Sequence, residues 1–342
     1  LFELVVLGLI GLAIGVVKNN RFYKFSQNSS QINLTALPLK MDILVNGQSN
    51  LTVNPGDYLQ FKIHYENGAG LALSYVILRA KLDGLMYDFS SLKTKGYFNG
   101  VNNTITWNAS NWPDFKSLLP NSSGDVEFQI NVKPQYIIRT FRDKNFLLQV
   151  SAVMETPTVP PALAVKYLSV VSDLAIKVDT KAELKTKGYY FDAVLKNSGP
   201  LPPKVNQTTT YTIHWQITNF SNDIDGVMVK SVLPEGMKWL NKKAGAGAAT
   251  LEYNDRTNEL IWNVGKVQAG MGVLLDSYEV IFQVSLTPPV TKVGQTMALL
   301  EISNLIGKDV FTGNDVSATV PPLKTDLPDD PGVGLSKSLI QP

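Results

Sequence analysis

The chain has 342 residues, enough for two or three domains that each bury a core. Its 31 Lys and Arg against 29 Asp and Glu leave a net charge of +2, which gives no electrostatic case for nucleic acid or an acidic substrate. Cysteine is absent and the only histidines are His64 and His214. Disulfide staples, Cys-based metal sites and thiol nucleophiles are therefore excluded, and a His-rich metal site or a Ser-His-Asp triad would have to use one of those two residues.

Residues 1–25 open the chain with LFELVVLGLIGLAIGVV, in which Glu3 is the only charge. As a helix the 17-residue run would span about 25 Å, slightly short of a hydrocarbon core of about 30 Å. Gly11 and Gly15 form a GxxxG pair with Gly8 one turn earlier, a spacing that lets helices approach closely. Behind the run, Lys18, Arg21 and Lys24 interleave with Phe22, Tyr23 and Phe25 as a basic and aromatic interfacial collar. The expectation is one hydrophobic helix, held in a membrane at least before assembly and able to pack against copies of itself.

From residue 36 onward the chain repeats. Ile63-His64-Tyr65 recurs as Ile213-His214-Trp215, Ile105-Thr-Trp-Asn108 as Leu260-Ile-Trp-Asn263, and Phe128-Gln-Ile-Asn-Val132 as Phe282-Gln-Val-Ser-Leu286. Three blocks in one order at offsets near 150 define a unit of about that length. Each block alternates with period two: Tyr211, Ile213, Trp215 and Ile217 face one way, and Thr212, His214, Gln216 and Thr218 the other. Asn54-Pro-Gly-Asp57, Leu233-Pro-Glu-Gly236 and Gly313-Asn-Asp315 punctuate the strands. This pattern predicts an all-β protein of two tandem immunoglobulin-like antiparallel β-sandwiches, residues 36–173 and 174–323, with Trp215, Trp239 and Trp262 in the second core. Residues 324–342, rich in Pro, Gly and Asp, read as an extended tail with few contacts.

Eight Asn-x-Ser/Thr sequons begin at Asn28, Asn33, Asn50, Asn102, Asn108, Asn121, Asn206 and Asn219 and are candidate glycosylation sites on an exposed surface. His64 and His214 stand on the polar phase of equivalent strands, which favours two solvent-facing residues over a shared ligand or pH-sensing site. Asp326, Asp329 and Asp330, or Asn314 with Asp315, lack calcium-loop spacing and read as solvated turns. Gly245-Ala-Gly-Ala-Ala249 lacks the context of a phosphate loop and reads as a flexible hairpin loop. The residues point to no catalytic group, cofactor or metal site.

The second module resembles the surface-protein repeat known as domain of unknown function eleven. Tyr211-Thr-Ile213, Thr218-Asn219, Val232-Leu-Pro-Glu-Gly236, Trp262-Asn-Val-Gly265, Ala269-Gly270 and Phe282-Gln-Val284 match its pattern over residues 205–320. The first module keeps Pro55-Gly56, Tyr65-Glu-Asn67 and Trp107-Asn108. With its acid near the start of an apolar run, the N-terminal segment is similar to a type IV pilin helix, although that family carries the acid at the fifth mature position and usually starts with Phe. The combination resembles chains of Patescibacteria-like bacteria of the candidate phyla radiation. These resemblances imply an extracellular, cell-surface structural protein. The first form of that expectation is a homo-oligomeric filament subunit with the N-terminal helix in the core and the modules outside. The second is a membrane-anchored stalk or adhesin of unknown ligand.

Overall fold

The computed structural model describes residues 9–18, 21–31 and 38–342. Strands β1 (Leu9–Lys18) and β2 (Arg21–Gln31) pair as an antiparallel hairpin, with Gly11 opposite Ser29 and Gly15 opposite Lys24. The expected helix is therefore replaced by strands over these residues, while its first turns lie outside the described residues. Ile10, Ile14, Val16 and Val17 are stiff at χ1, and the glycines lose most entropy in a helix, so the run suits extended backbone. No helix among the described residues is long and apolar enough to cross a membrane.

The first module comprises β3 (Leu39–Val45), β4 (Thr52–Val53), β5 (Tyr58–Asn67), β6 (Leu73–Ser74), β7 (Ile77–Asp83), β8 (Tyr87–Thr94), β9 (Tyr97–Asn99), β10 (Thr104–Trp107), β11 (Ser117–Leu118), β12 (Ser123–Val132), β13 (Leu147–Thr156) and β14 (Leu168–Val178). One sheet runs β3-β5-β12-β8 and the other β4-β14-β13-β7-β10-β9. The second module comprises β15 (Ala182–Tyr189), β16 (Thr209–Asn219), β17 (Ile224–Val232), β18 (Met237–Ala244), β19 (Leu251–Asn254), β20 (Glu259–Val267), β21 (Tyr278–Leu286), β22 (Ala298–Leu300), β23 (Ser303–Asp309), β24 (Asp315–Val320) and β25 (Leu323–Lys324). Its sheets run β15-β16-β21-β18 and β19-β20-β17-β23-β24. Apart from the short β4, the strand order of one module is that of the other. Each is an antiparallel sandwich with its apolar phase between the sheets.

Without disulfides, aromatic packing fills both cores. In the first, Phe61 stacks on Phe128 at 4.6 Å and Trp107 lies 6.3 Å from Phe128. In the second, Trp215 meets Phe282 edge-on at 5.1 Å, and Trp262 stacks on Tyr278 at 5.6 Å. Trp215 and Trp262 are fully buried, while Trp239 is half-buried at the edge, stacked on Tyr253. In the Gly-rich loop a Cβ at Gly247 would stand 2.5 Å from the Trp262 indole, so only glycine lets the backbone lie on that ring.

Two boundaries differ from the sequence reading. Position 174 falls inside β14, whose ladder with β13 runs from Leu147–Lys177 to Thr156–Leu168, so the first module ends at Val178. The tail is not a low-contact segment. Leu327, Val333 and Ile340 are buried in the second core, and Asp330 accepts the Tyr190 and Phe191 amides at 2.7 and 2.8 Å. Leu327 fills the space over Gly188, where any Cβ would come within 2.6 Å of it.

Candidate functional site: the joint between the modules and the two polar faces

Only Asp179, Thr180 and Lys181 separate β14 from β15. A buried polar network surrounds this three-residue connection. The fully buried Asp309 carboxylate, at the end of β23, accepts four hydrogen bonds. Its Oδ2 takes the Thr180 amide at 2.8 Å and Asn222 Nδ2 at 2.7 Å, and its Oδ1 takes the Phe311 and Thr312 amides at 2.8 and 3.1 Å. Asn222 also donates to the Val178 carbonyl at 2.9 Å and accepts the Asn145 amide at 3.0 Å, so one amide group ties the first module to the second. Asn314 donates to Thr52 Oγ1 at 2.6 Å and to the Asp179 carboxylate at 3.0 Å. Lys177 donates to the Phe311 carbonyl and lies over its ring. Asn314 is thus a bridge between modules and not the solvated turn expected.

Apolar contacts close the rest of the joint. Leu274 of the second module packs against the first core. Pro55, Met86, Pro134, Ile138 and Phe146 meet Lys181 and Phe220 around a void of only ≈ 20 Å³, about the room of one water. Lys144 reaches Asp223 across the joint at 3.7 Å. Partial burial raises the Asp223 carboxyl, but the Ala269 amide with Lys144 and Lys266 outweighs it and holds that group below the usual carboxylate range.

An equivalent asparagine closes each module. Asn67 ends β5 and Asn219 ends β16, both fully buried. Asn67 Nδ2 donates to the carbonyls of Leu71, Leu118 and Leu119. Asn219 Nδ2 donates to those of Asn222, Val267 and Gln268, and its Oδ1 accepts the Thr180 hydroxyl. Each pins two loops to the end of the strand. Replacing either by alanine should destabilise its own module by about 2–3 kcal/mol, because buried carbonyls lose their donor. A lower midpoint in a denaturant titration, with amide protection in hydrogen exchange lost first in the substituted module, checks this.

The sequons divide accordingly. Asn50, Asn102, Asn121 and Asn206 are exposed and Asn108 is half-buried, whereas Asn219 has no room for a sugar. Asn28 lies on β2 and Asn33 outside the described residues. Glycopeptide mapping of native material should find any glycan at the exposed four and none at Asn219. Of the N-terminal residues, Glu3 and Gly8 lie outside the described residues, and Gly11, Gly15, Lys18, Arg21, Phe22, Tyr23 and Lys24 fall on the hairpin.

The two histidines, equivalent in sequence, stand in different surroundings. His64 is exposed on a polar face, 2.8 Å from Asp125, with Lys62 3.2 Å from the same carboxylate. The His64 hydrogen bond is the main cause that keeps the Asp125 carboxyl below the usual carboxylate range; burial opposes it and Lys62 adds to the lowering. His214 is buried, because residues 190–208 cross this face of the second module as a strap. Its Nε2 lies 2.8 Å from Asp192 of the strap and its Nδ1 2.8 Å from Glu279 of β21. The ring is thus gripped between two carboxylates, one on the strap and one on β21. Asn197 and Gln283 extend the fastening: Asn197 Nδ2 donates to Thr212 Oγ1 at 3.0 Å and Gln283 Nε2 to Asn197 Oδ1 at 2.8 Å. The solvent-facing expectation therefore fails for His214; a strap whose Asp192 stands 22 residues away in sequence overrides strand alternation. Asp330 likewise serves as the strap's anchor to the tail and is not solvated.

Among the described residues no group of three His, Asp or Glu side chains could hold a metal ion. The His214 trio has its carboxylates on opposite sides of the ring, so it fastens segments and offers no point where three ligands converge.

No family model matches the chain, and no curated protein matches it. Solved structures similar to it include the C-terminal domain of the Streptococcus pyogenes antigen I/II-family protein AspA, at 10% identity and TM-score 0.35, covering 83% of this chain and 98% of that one. The structure named BspA_C_WT is similar at 12% identity and TM-score 0.29 over 81% of this chain and 98% of that one. Red sea bream transglutaminase is similar at 11% identity and TM-score 0.26 over 84% of this chain and 31% of its own. Likenesses at these scores say nothing of activity, and the sandwich fold rests on the strand pairing itself.

Proposed function

We propose that the chain is a non-enzymatic structural protein of the cell surface, in which two sandwiches act as one stiff stalk. The observation that carries this reading is the joint: a three-residue connection whose polar groups are satisfied across the boundary by Asp309, Asn222 and Asn314. Flexibly tethered domains have no use for such a network. Resemblance to surface repeats over residues 205–320, and sequons at exposed loop positions, support an extracytoplasmic site. The apolar run from Leu1 to Val17, its second half on the β1–β2 hairpin, would hold the stalk against the membrane surface without spanning it.

A filament subunit is the second reading, favoured by the same apolar run and by the edge strands β9 and β19, which could pair with neighbouring copies. Shearing the producing cells without detergent separates the two. The stalk reading expects the chain to stay with membranes and to be freed as single particles by detergent. Regular fibres containing the chain, seen by negative-stain microscopy, overturn it in favour of the filament. Recovery in the cytosolic fraction overturns both.

A further inference from the structure

The polar face sealed by the strap in the second module stays open in the first, and there it carries a slot. Strand β8 pairs with β12 from Val132–Tyr87 to Phe128–Thr94 and then leaves towards β9. Residues 123–127 of β12, still paired with β5 on one side, have no strand on the other. The gap is a groove of ≈ 410 Å³ lined by Lys93, Thr94, Lys95, Trp112, Asp125, Glu127, Phe128 and Gln129. Trp112 is half-buried, its indole N–H donating to the Tyr65 hydroxyl at 3.0 Å, so its ring is held at the groove wall by its edge.

The charges in this groove are not balanced. Asp125 is paired with Lys62 and His64, and Glu127 lies 3.8 Å from Lys62. Lys93 and Lys95 are exposed and make no salt bridge among the described residues. The slot therefore offers a fixed aromatic ring, two free cations, and the amide and carboxylate oxygens of Gln129, Asp125 and Glu127.

We propose that this slot binds an anionic polysaccharide segment, with a sugar ring against Trp112 and its carboxylate on Lys93 and Lys95. Aromatic rings take the apolar face of a sugar, ammonium groups take the acid, and the hydroxyls are met by Gln129 and the two carboxylates. The assignment rests on the surface reading only for where such a polymer would be met, since binding itself is measured on purified protein. Fractionation failing to find the chain at the surface would leave the binding result standing, and the reverse.

The test is tryptophan fluorescence and calorimetry on the 342-residue chain with hexagalacturonate, and with cellohexaose and hexaglutamate as neutral and peptide controls. Trp107, Trp215 and Trp262 are fully buried, so an emission change reports chiefly on Trp112 and the half-buried Trp239, and W239F removes the second. Hexagalacturonate should bind, more weakly as salt rises, and bind at least tenfold more weakly to K93E/K95E. These exposed substitutions should leave the unfolding transition in place. No binding of hexagalacturonate, undiminished binding to K93E/K95E, or equal binding of cellohexaose overturns the proposal. Equal binding of hexaglutamate overturns it too, assigning the slot to acidic peptides.

Discussion

Asp309→Ala will loosen the two modules from each other and cost on the order of 4 kcal/mol or more in stability. The carboxylate is fully buried and takes four donors, two of them, Thr180 and Asn222, from segments that fasten the first module. Hydrogen bonds to a charged group contribute about 1.5–3 kcal/mol each, and donors left buried without an acceptor carry their desolvation cost. The isosteric Asp309→Asn should fare almost as badly. Its oxygen can serve the Phe311 and Thr312 amides, but its NH2 group then faces two donors. Calorimetry should show one cooperative transition of the parent chain split in two by either substitution. Small-angle scattering should show a broader distribution of inter-module angles. A variant with an unchanged single transition would mean that apolar contacts alone couple the modules.

Deleting residues 324–342 will destabilise the second module more than any single substitution outside its core. Leu327, Val333 and Ile340 are at most 1% exposed, and burying such side chains is worth roughly 1.5–3 kcal/mol apiece. The deletion also removes Asp330, which holds the amides of Tyr190 and Phe191 at the start of the strap. Its loss should free residues 190–208 as well as open the core. Hydrogen exchange is the direct check: amides of the strap and of β15 should lose protection while those of the first module keep theirs. If the strap stays protected, the His214 fastening holds it alone.

The sandwiches were legible because half-buried strands write themselves into sequence with period two, and because the blocks around Trp107 and Trp262 recur in order. Other features depend on partners that sequence does not bring together. Asn314 reaches Thr52 across 262 positions, and nothing local to Gly313-Asn-Asp315 distinguishes that bridge from a surface turn. His214 reads as outward by alternation, yet a strap covers its face. Asn219 satisfies a sequon, a motif blind to burial. The tail misled because Leu327, Val333 and Ile340 are spaced without period among prolines and glycines. The N-terminal run misled because its length and hydrophobicity read as a helix, while its β-branched residues and glycines suit the strand formed over Leu9–Lys18.

Leu39 enters beside Asn67 at one end of the first module, and Gln341 pairs near Lys204 at the opposite end of the second, so the joint lies between them along the chain's path. Tension applied to the two ends must pass through three residues with no slack to pay out. The load falls at once on bonds between different segments and not on a linker that straightens first. The Asp309 carboxylate, gripping four donors in the middle of that path, then acts as a rivet. The molecule should respond to pulling as one brittle rod whose weakest point is its joint, with either sandwich giving way only after that joint has parted.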